Sequence, residues 1–226
     1  KDDIMSKAND ILDEVKSVLK GKTFDALLPP LIFTLINNLS GLSKAIIISV
    51  ITGVVILVLR VAKGDRFQYS LAGLAVVLLA AMLAYISGNA ANYYIPAALG
   101  SFLFFFGSFI SIFIDKPIAA FTSHLTRGWN LEWYFRDDIK PAYKEVSVLW
   151  TVFFALRLIV QIFALISGNI ASLTVINVIL SFPITLTVLI LSYIYGIWRL
   201  SNLGGPGIEE FKANKPPPWS GQKKGF

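Results

Sequence analysis

Residues Leu71–Ile114 read LAGLAVVLLAAMLAYISGNAANYYIPAALGSFLFFFGSFISIFI. Two apolar runs flank a polar break at Ser87-Gly88-Asn89, and each run approaches the roughly 20 apolar residues a helix needs to cross a bilayer. The break has turn chemistry: glycine tolerates a positive φ, and serine and asparagine side chains bond nearby backbone groups. The stretch predicts a transmembrane helical hairpin.

The same pattern recurs on both sides of it. A short span at 24–41 contains Asp25 and Pro29-Pro30 and ends in Asn37-Asn38-Leu39-Ser40-Gly41. It is followed by a span at 45–61 that runs into the basic turn Arg60–Arg66. Spans at 69–87 and 93–114 form the central pair, and spans at 148–166 and 173–198 surround a second Ser167-Gly168-Asn169 break. The expectation is an all-α polytopic membrane protein whose six helices, over 24–200, form three hairpins. Repetition of Ser-Gly-Asn eighty positions apart, with a related Leu39-Ser40-Gly41 in the first hairpin, reads as one turn chemistry used three times, with an internal repeat of the transporter kind as the alternative. Gly73, Gly100 and Gly107, with Ser101 and Ser108, read as residues that let helices approach closely.

Three segments flank these spans. Residues 1–22 carry Ile4, Ile11, Val15 and Val18 at helical spacing and predict an amphipathic cytoplasmic or interfacial helix. The connector 115–147 places Trp129, Trp133, Tyr134, Phe135 and Tyr143 among charges, the pattern of an interfacial helix at the headgroup level. Residues 201–226, SNLGGPGIEEFKANKPPPWSGQKKGF, form a Gly/Pro-rich cytoplasmic tail with too little apolar surface to order itself.

Composition agrees. Of 226 residues, 55% are hydrophobic and 15% charged, with a mean hydropathy of +0.68, against about 25% charged in a soluble domain. There is no cysteine and a single histidine, His124, which removes thiol chemistry and disfavours a histidine metal site. Net charge is +6, and its distribution argues for topology rather than nucleic acid. Eighteen of the twenty Lys and Arg residues fall in the N-terminal segment, the 60–66 turn, the long connector and the tail. The positive-inside rule then predicts both termini in the cytoplasm. No cleavable signal peptide is expected, because the first twenty residues lack an apolar core.

The candidate site residues are few. Arg157 lies near the middle of the fifth span, with Gln161 one turn on; a mid-bilayer arginine is expensive and is a functional hypothesis by default. Its readings are an anion or headgroup contact, a polar gate, or a structural anchor that bonds a broken-helix carbonyl or pairs with Asp25. Asn37, Asn38, Asn89, Asn92 and Asn169 gather at the outer turns, as caps or as a polar vestibule. Phe211, Trp219 and Phe226 in the tail, with Trp129 and Trp133 in the connector, are candidate partner-docking residues. No Walker loop, Rossmann fingerprint, HExxH or GxSxG sequence occurs, and His124, Asp137 and Asp138 make no recognisable constellation. The reading is therefore not an enzyme, with no cofactor and no metal.

Several stretches carry a likeness to a known family. Asp25-Ala26-Leu27-Leu28-Pro29-Pro30, Gly41-Leu42, Arg60 before its basic turn, and Gly88-Asn89-Ala90-Ala91-Asn92-Tyr93-Tyr94-Ile95-Pro96-Ala97 are four of them. Asp115-Lys116-Pro117-Ile118, Leu149-Trp150 and Ala155-Leu156-Arg157-Leu158-Ile159-Val160-Gln161 are three more. Over about Asp25–Leu200 the chain resembles the DUF3159 family of bacterial membrane proteins and, more distantly, the intracellular septation protein A group. The resemblance implies a six-span bacterial inner-membrane protein and supplies no activity or site. The sequence thus supports a non-enzymatic accessory or interaction subunit of a larger membrane assembly, partnered by the bilayer and by other membrane subunits or itself. The alternative is a small-solute or ion transporter or channel with Arg157 in the bundle interior.

Overall fold

The computed structural model describes residues 22–181 and 183–226; the amphipathic helix expected at 1–22 falls almost wholly outside them. Among the described residues all regular structure is helical: α1 (Lys22–Ser40), α2 (Leu42–Ala62), α3 (Phe67–Ser87), a 3₁₀ turn (Ala90–Tyr94) and α4 (Ile95–Phe113). Then follow α5 (Ile118–Arg127), α6 (Leu131–Tyr134), α7 (Lys140–Ser167), α8 (Ile170–Ser181), α9 (Pro183–Leu203) and α10 (Ile208–Lys212). Five helical stretches are long and apolar enough to cross a membrane: Leu42–Ala62, Phe67–Ser87, Ala90–Phe113, Lys140–Ser167 and Ile170–Leu203.

The expected first span is a helix of 19 residues but is not one of these five. Asp25, Pro29, Pro30, Thr34, Asn37 and Asn38 dilute its apolar character, and the two prolines remove two helix N–H groups. The fifth helix starts earlier than the expected 148–166 span: α7 takes in Lys140–Ser147, so the end of the connector is helix continuous with the span. The last membrane-length stretch, Ile170–Leu203, contains Pro183.

The chain forms two compact units. Unit 1 comprises the described residues up to Gly100 together with Leu158–Ile184. Here α1 packs along α2, and α2 along α3. Only Gly41, at φ +84°, separates α1 from α2, a conformation that glycine adopts without a Cβ penalty. Small residues set the α2 face: Ala45, Ser49 and Gly53, four apart, are buried, as are Ala80, Ala81 and Ala84 on α3. A Cβ on Gly53 would stand 3.0 Å from Leu74 and 3.4 Å from Val77. The glycines singled out from the sequence behave otherwise: a Cβ at Gly73 or Gly100 would meet nothing within 4 Å, and one at Gly107 only Ile118 at 4.0 Å. On the opposite stripe of α2, Ile47, Ile51, Val55 and Val58 are exposed, as a lipid-facing surface requires. Phe33, fully buried, stacks on Tyr93 at 3.8 Å between ring centroids.

Unit 2 comprises Ser101–Arg157 and Thr185–Phe226. Its core is aromatic: Trp133, Tyr134 and Tyr143 are fully buried, with Ile139 and Leu200. The helix ends are tied by polar groups. Ser108 bonds the Ser147 carbonyl at 3.0 Å and Thr151 Oγ1 at 2.6 Å, and the Ala119 N–H donates to Ser147 Oγ at 3.1 Å. Asp115 accepts from Lys140 at 2.5 Å and Lys144 at 2.8 Å, so the connector is fastened to the first turns of α7.

Candidate functional site

Polar side chains inside apolar spans are costly, so each must find a partner. In unit 1, α8 presents two of them one turn apart, Thr174 and Asn177, both buried. The Thr174, Thr34 and Tyr94 hydroxyls form a closed triangle: Tyr94 lies 2.6 Å from each threonine, and the two threonines bond each other. Tyr94 also reaches the Pro30 carbonyl at 3.2 Å, and Thr174 reaches the Ile170 carbonyl at 2.8 Å. This triangle pins α1, the 3₁₀ turn and α8 together. No short-range signal in the sequence linked positions 34, 94 and 174.

Gln161, 1% exposed, donates Nε2 to Asn177 Oδ1 at 2.7 Å. Asn177 Nδ2 donates in turn to the Leu173 carbonyl at 2.8 Å, which fixes its amide orientation and therefore that of Gln161. Gln161 Oε1 is left buried with no hydrogen-bond donor.

Arg157 is placed differently from its neighbour. It is half-buried, and Nη1 donates to Thr185 Oγ1 on α9 at 3.4 Å. Ten residues separate it from the end of α7 at Ser167, about 15 Å along the axis. Two further rungs join α7 to α9 in unit 2. Trp150 Nε1 donates to Ser192 Oγ at 2.8 Å. Glu145 accepts Arg199 through both carboxylate oxygens at 2.8–3.1 Å and the Tyr195 hydroxyl at 2.6 Å. The positions rise along α7 (145, 150, 157) as they fall along α9 (199, 192, 185), so the two helices meet as an antiparallel seam with polar rungs. Asp25, weighed from the sequence as a partner of Arg157, is held by Arg60 at 3.2 Å.

The asparagines divide. Asn89 Oδ1 accepts the Ala91 N–H at 2.9 Å, and Asn169 Oδ1 accepts the Ser172 N–H at 3.0 Å. Both follow a left-handed glycine, Gly88 at φ +63° and Gly168 at φ +65°, so the two Ser-Gly-Asn breaks share a glycine turn and an asparagine cap, the first opening a 3₁₀ turn and the second an α-helix. Asn37 and Asn92 are half-buried and Asn38 is exposed, and the Asn37 carbonyl accepts the Gly41 N–H at 3.1 Å.

The aromatic residues read as docking candidates are largely spent inside unit 2. Trp133 is fully buried and donates Nε1 to the Pro206 carbonyl at 2.9 Å. Phe226 stacks on Tyr143 with centroids 4.3 Å apart and planes within 8°. Trp129 meets Trp133 edge-on at 5.5 Å. Phe211 and Trp219 flank the Arg136 guanidinium at 5.8 and 5.4 Å, and Asp138 holds that guanidinium bidentately at 2.7–2.9 Å. The tail lies on its own chain because this aromatic cluster supplies the apolar surface that 201–226 lacks.

Charges beside the spans are locked in structure. Lys140, then Lys144, hold the Asp115 carboxyl down at about 2. The Ser220 and Gly207 backbone N–H groups do the same to Glu210, also at about 2. Burial pushes the Tyr134 hydroxyl up. Among the described residues no three His, Asp or Glu side chains converge on a point where a metal would sit.

Among the described residues all regular structure is helical, and five apolar helices are long enough to cross a membrane: this is the architecture of a multi-pass membrane protein. Residues 21–199 match the family described as "Protein of unknown function (DUF3159)", and the chain belongs to that family. No curated protein and no solved structure matches it, and the more distant likeness to the septation protein A group has no counterpart in these comparisons.

Proposed function

We propose that the protein is a non-enzymatic, six-span bacterial inner-membrane protein that serves as an accessory subunit of a membrane assembly. The observation that carries this reading is the mutual engagement of polar side chains in the apolar helices. Thr34, Tyr94 and Thr174 bond one another, Gln161 bonds Asn177, and Ser108 bonds Thr151. Groups committed to interhelical bonds hold helices in place rather than line a path.

The sixth span is α1. Asp25 meets Arg60 at one end of the α1–α2 pair, and Gly41 joins them at the other. A helix of 19 residues, about 28 Å long, that runs antiparallel along α2 crosses wherever α2 crosses. An even number of spans, with Lys and Arg concentrated in alternate connections, supports cytoplasmic termini and a hairpin arrangement. With Trp133 and Phe226 occupied, the surface left for partners is the exposed apolar stripe of the spans, where lipid, a second copy or another membrane helix can pack.

Gentle detergent extraction from native membranes, followed by native mass and identification of co-migrating chains, tests the proposal. A stoichiometric companion supports it, and migration of the chain alone refutes it.

A transporter is the second reading, favoured by one observation: Arg157 stands near mid-span, bonded to a threonine hydroxyl. If it lines a path, Arg157→Leu abolishes flux in liposomes and leaves folding intact. If it is a rung of the α7–α9 seam, folding stability falls with it.

A further inference from the structure

Four glycines in unit 2 share a property that ordinary turn glycines lack. A Cβ on Gly196 would stand 2.3 Å from two ring carbons of Phe226. One on Gly205 would stand 2.8 Å from the Asp138 carbonyl oxygen, and one on Gly207 2.9 Å from that of Gly221. One on Gly225 would stand 2.7 Å from the Trp129 ring. Contacts this close mean that a Cβ at any of the four would force a neighbour to shift, backbone at Gly205 and Gly207 and an aromatic ring at Gly196 and Gly225, so the 204–226 segment is closely fitted where it lies.

The fit is tightest at Gln222–Phe226. The Phe226 ring lies flat on Tyr143 of α7 and against Gly196 of α9. Its carbonyl oxygen accepts Arg127 Nε at 2.9 Å, and the Gly225 N–H donates to Tyr193 OH of α9 at 3.2 Å. Gln222, buried, accepts the Ile208 N–H at 2.8 Å, and its own carbonyl accepts Ser201 Oγ at 3.4 Å. Lys223 and Lys224 between these anchors are exposed. The socket therefore has an aromatic face, a close-fitting glycine floor, and separate polar anchors for the main chain. Those are the elements of a peptide-binding site.

We infer that Gln222–Phe226 is an intramolecular latch, seated in a socket formed by Arg127, Trp129, Tyr143, Tyr193 and Gly196. It clamps the ends of α7 and α9 nearest the Glu145–Arg199 rung. The occupant is this chain's own segment, and the device has two states. When seated, the latch ties both helices together; when released, it exposes the Tyr143 face and frees the Glu145–Arg199 end of the α7–α9 seam.

Tryptic cleavage of the full-length chain in detergent tests this, because Lys223 and Lys224 lie inside the latch and Lys212 lies outside it. In the parent protein, cleavage after Lys223 and Lys224 should be slower than after Lys212. Phe226→Ala should accelerate cleavage at 223 and 224 by about tenfold or more, below the more than hundredfold scale of a fully buried phenylalanine because Phe226 is only half-buried, and leave the rate at Lys212 unchanged. Gly196→Ala should do the same by expelling the ring. In the double variant the alanine at 196 no longer meets a ring, so its rate should match Phe226→Ala alone. Unchanged rates at 223 and 224 in the single variants would overturn the latch. So would equal acceleration at Lys212, or an effect of Gly196→Ala that persists without Phe226.

Discussion

Gln161 and Asn177 share one hydrogen bond, yet breaking it from the two sides should have unequal costs. Asn177→Leu keeps the side-chain volume and removes both amide groups. It leaves the Gln161 Nε2 group, 1% exposed, with no acceptor, beside an Oε1 that already lacks a donor. A newly unsatisfied buried group costs about 1–3 kcal/mol, and the lost interhelical bond adds about 0.6, so roughly 2–3 kcal/mol of stability should disappear. Gln161→Met is close to isosteric and works differently. It orphans Asn177 Oδ1, a cost of about 1–3 kcal/mol, but deletes the buried Oε1, a gain of similar size. The net change should lie within about 1 kcal/mol of zero. Equilibrium unfolding in mixed micelles, with both variants and the double variant, measures the asymmetry. Equal costs, or a larger cost for Gln161→Met, would refute the assignment of Oε1 as the unsatisfied atom.

Other consequences follow from the packing and the charges. Gly53→Val should cost about 1–3 kcal/mol by forcing Leu74 and Val77 aside, whereas Gly73→Ala, where a Cβ meets nothing, should stabilise by about 0.5–1 kcal/mol; the same unfolding assay separates them. Glu210 titrates at about 2 in place of 4.5, so its hold on Ser220 and Gly221 is complete above pH 4.5 and lost as pH falls through about 2. Pepsin cleavage between 210 and 222 should rise across that interval, and Glu210→Gln should abolish the dependence. The chain contains no cysteine, so single cysteines report sidedness: Asn38→Cys should react with an impermeant maleimide on whole cells. Lys22→Cys and Gly64→Cys should react only after permeabilisation. Labelling of Lys22→Cys on whole cells would remove α1 from the spans.

The sequence made five of the apolar spans legible because a bilayer imposes one requirement, about 20 apolar residues with every backbone group satisfied, and only in α1 do an acid, two prolines and two asparagines compete with it. The Ser-Gly-Asn turns were legible for a local reason: Gly88 and Gly168 adopt the left-handed conformation, and the following asparagine caps the next helix. What resisted reading was pairing at a distance. Arg60 lies 35 positions from Asp25, and the hydroxyls of Thr34 and Thr174 lie 140 apart; composition and periodicity cannot rank such partners. The glycines show the same limit. Gly100 and Gly107 have a packing spacing but no close neighbour, while Gly53 and Gly196 have neighbours that would obstruct a Cβ.

Gln161 and Arg157 make the sharpest case. One turn apart on α7, they share a face and invite a single role, yet Gln161 bonds α8 and Arg157 bonds α9. The reason is a change of partner along one helix. Rungs at Glu145, Trp150 and Arg157 meet α9 at Arg199, Ser192 and Thr185. The next turn of α7 carries Gln161, whose bond goes to Asn177 of α8. Of these three rungs Arg157 lies farthest along α7, and it bonds the Thr185 hydroxyl. If the seam is the whole purpose of Arg157, Thr185→Val should destabilise the protein about as much as Arg157→Leu. If Arg157→Leu costs far more function than stability while Thr185→Val costs neither, the arginine serves something beyond the seam.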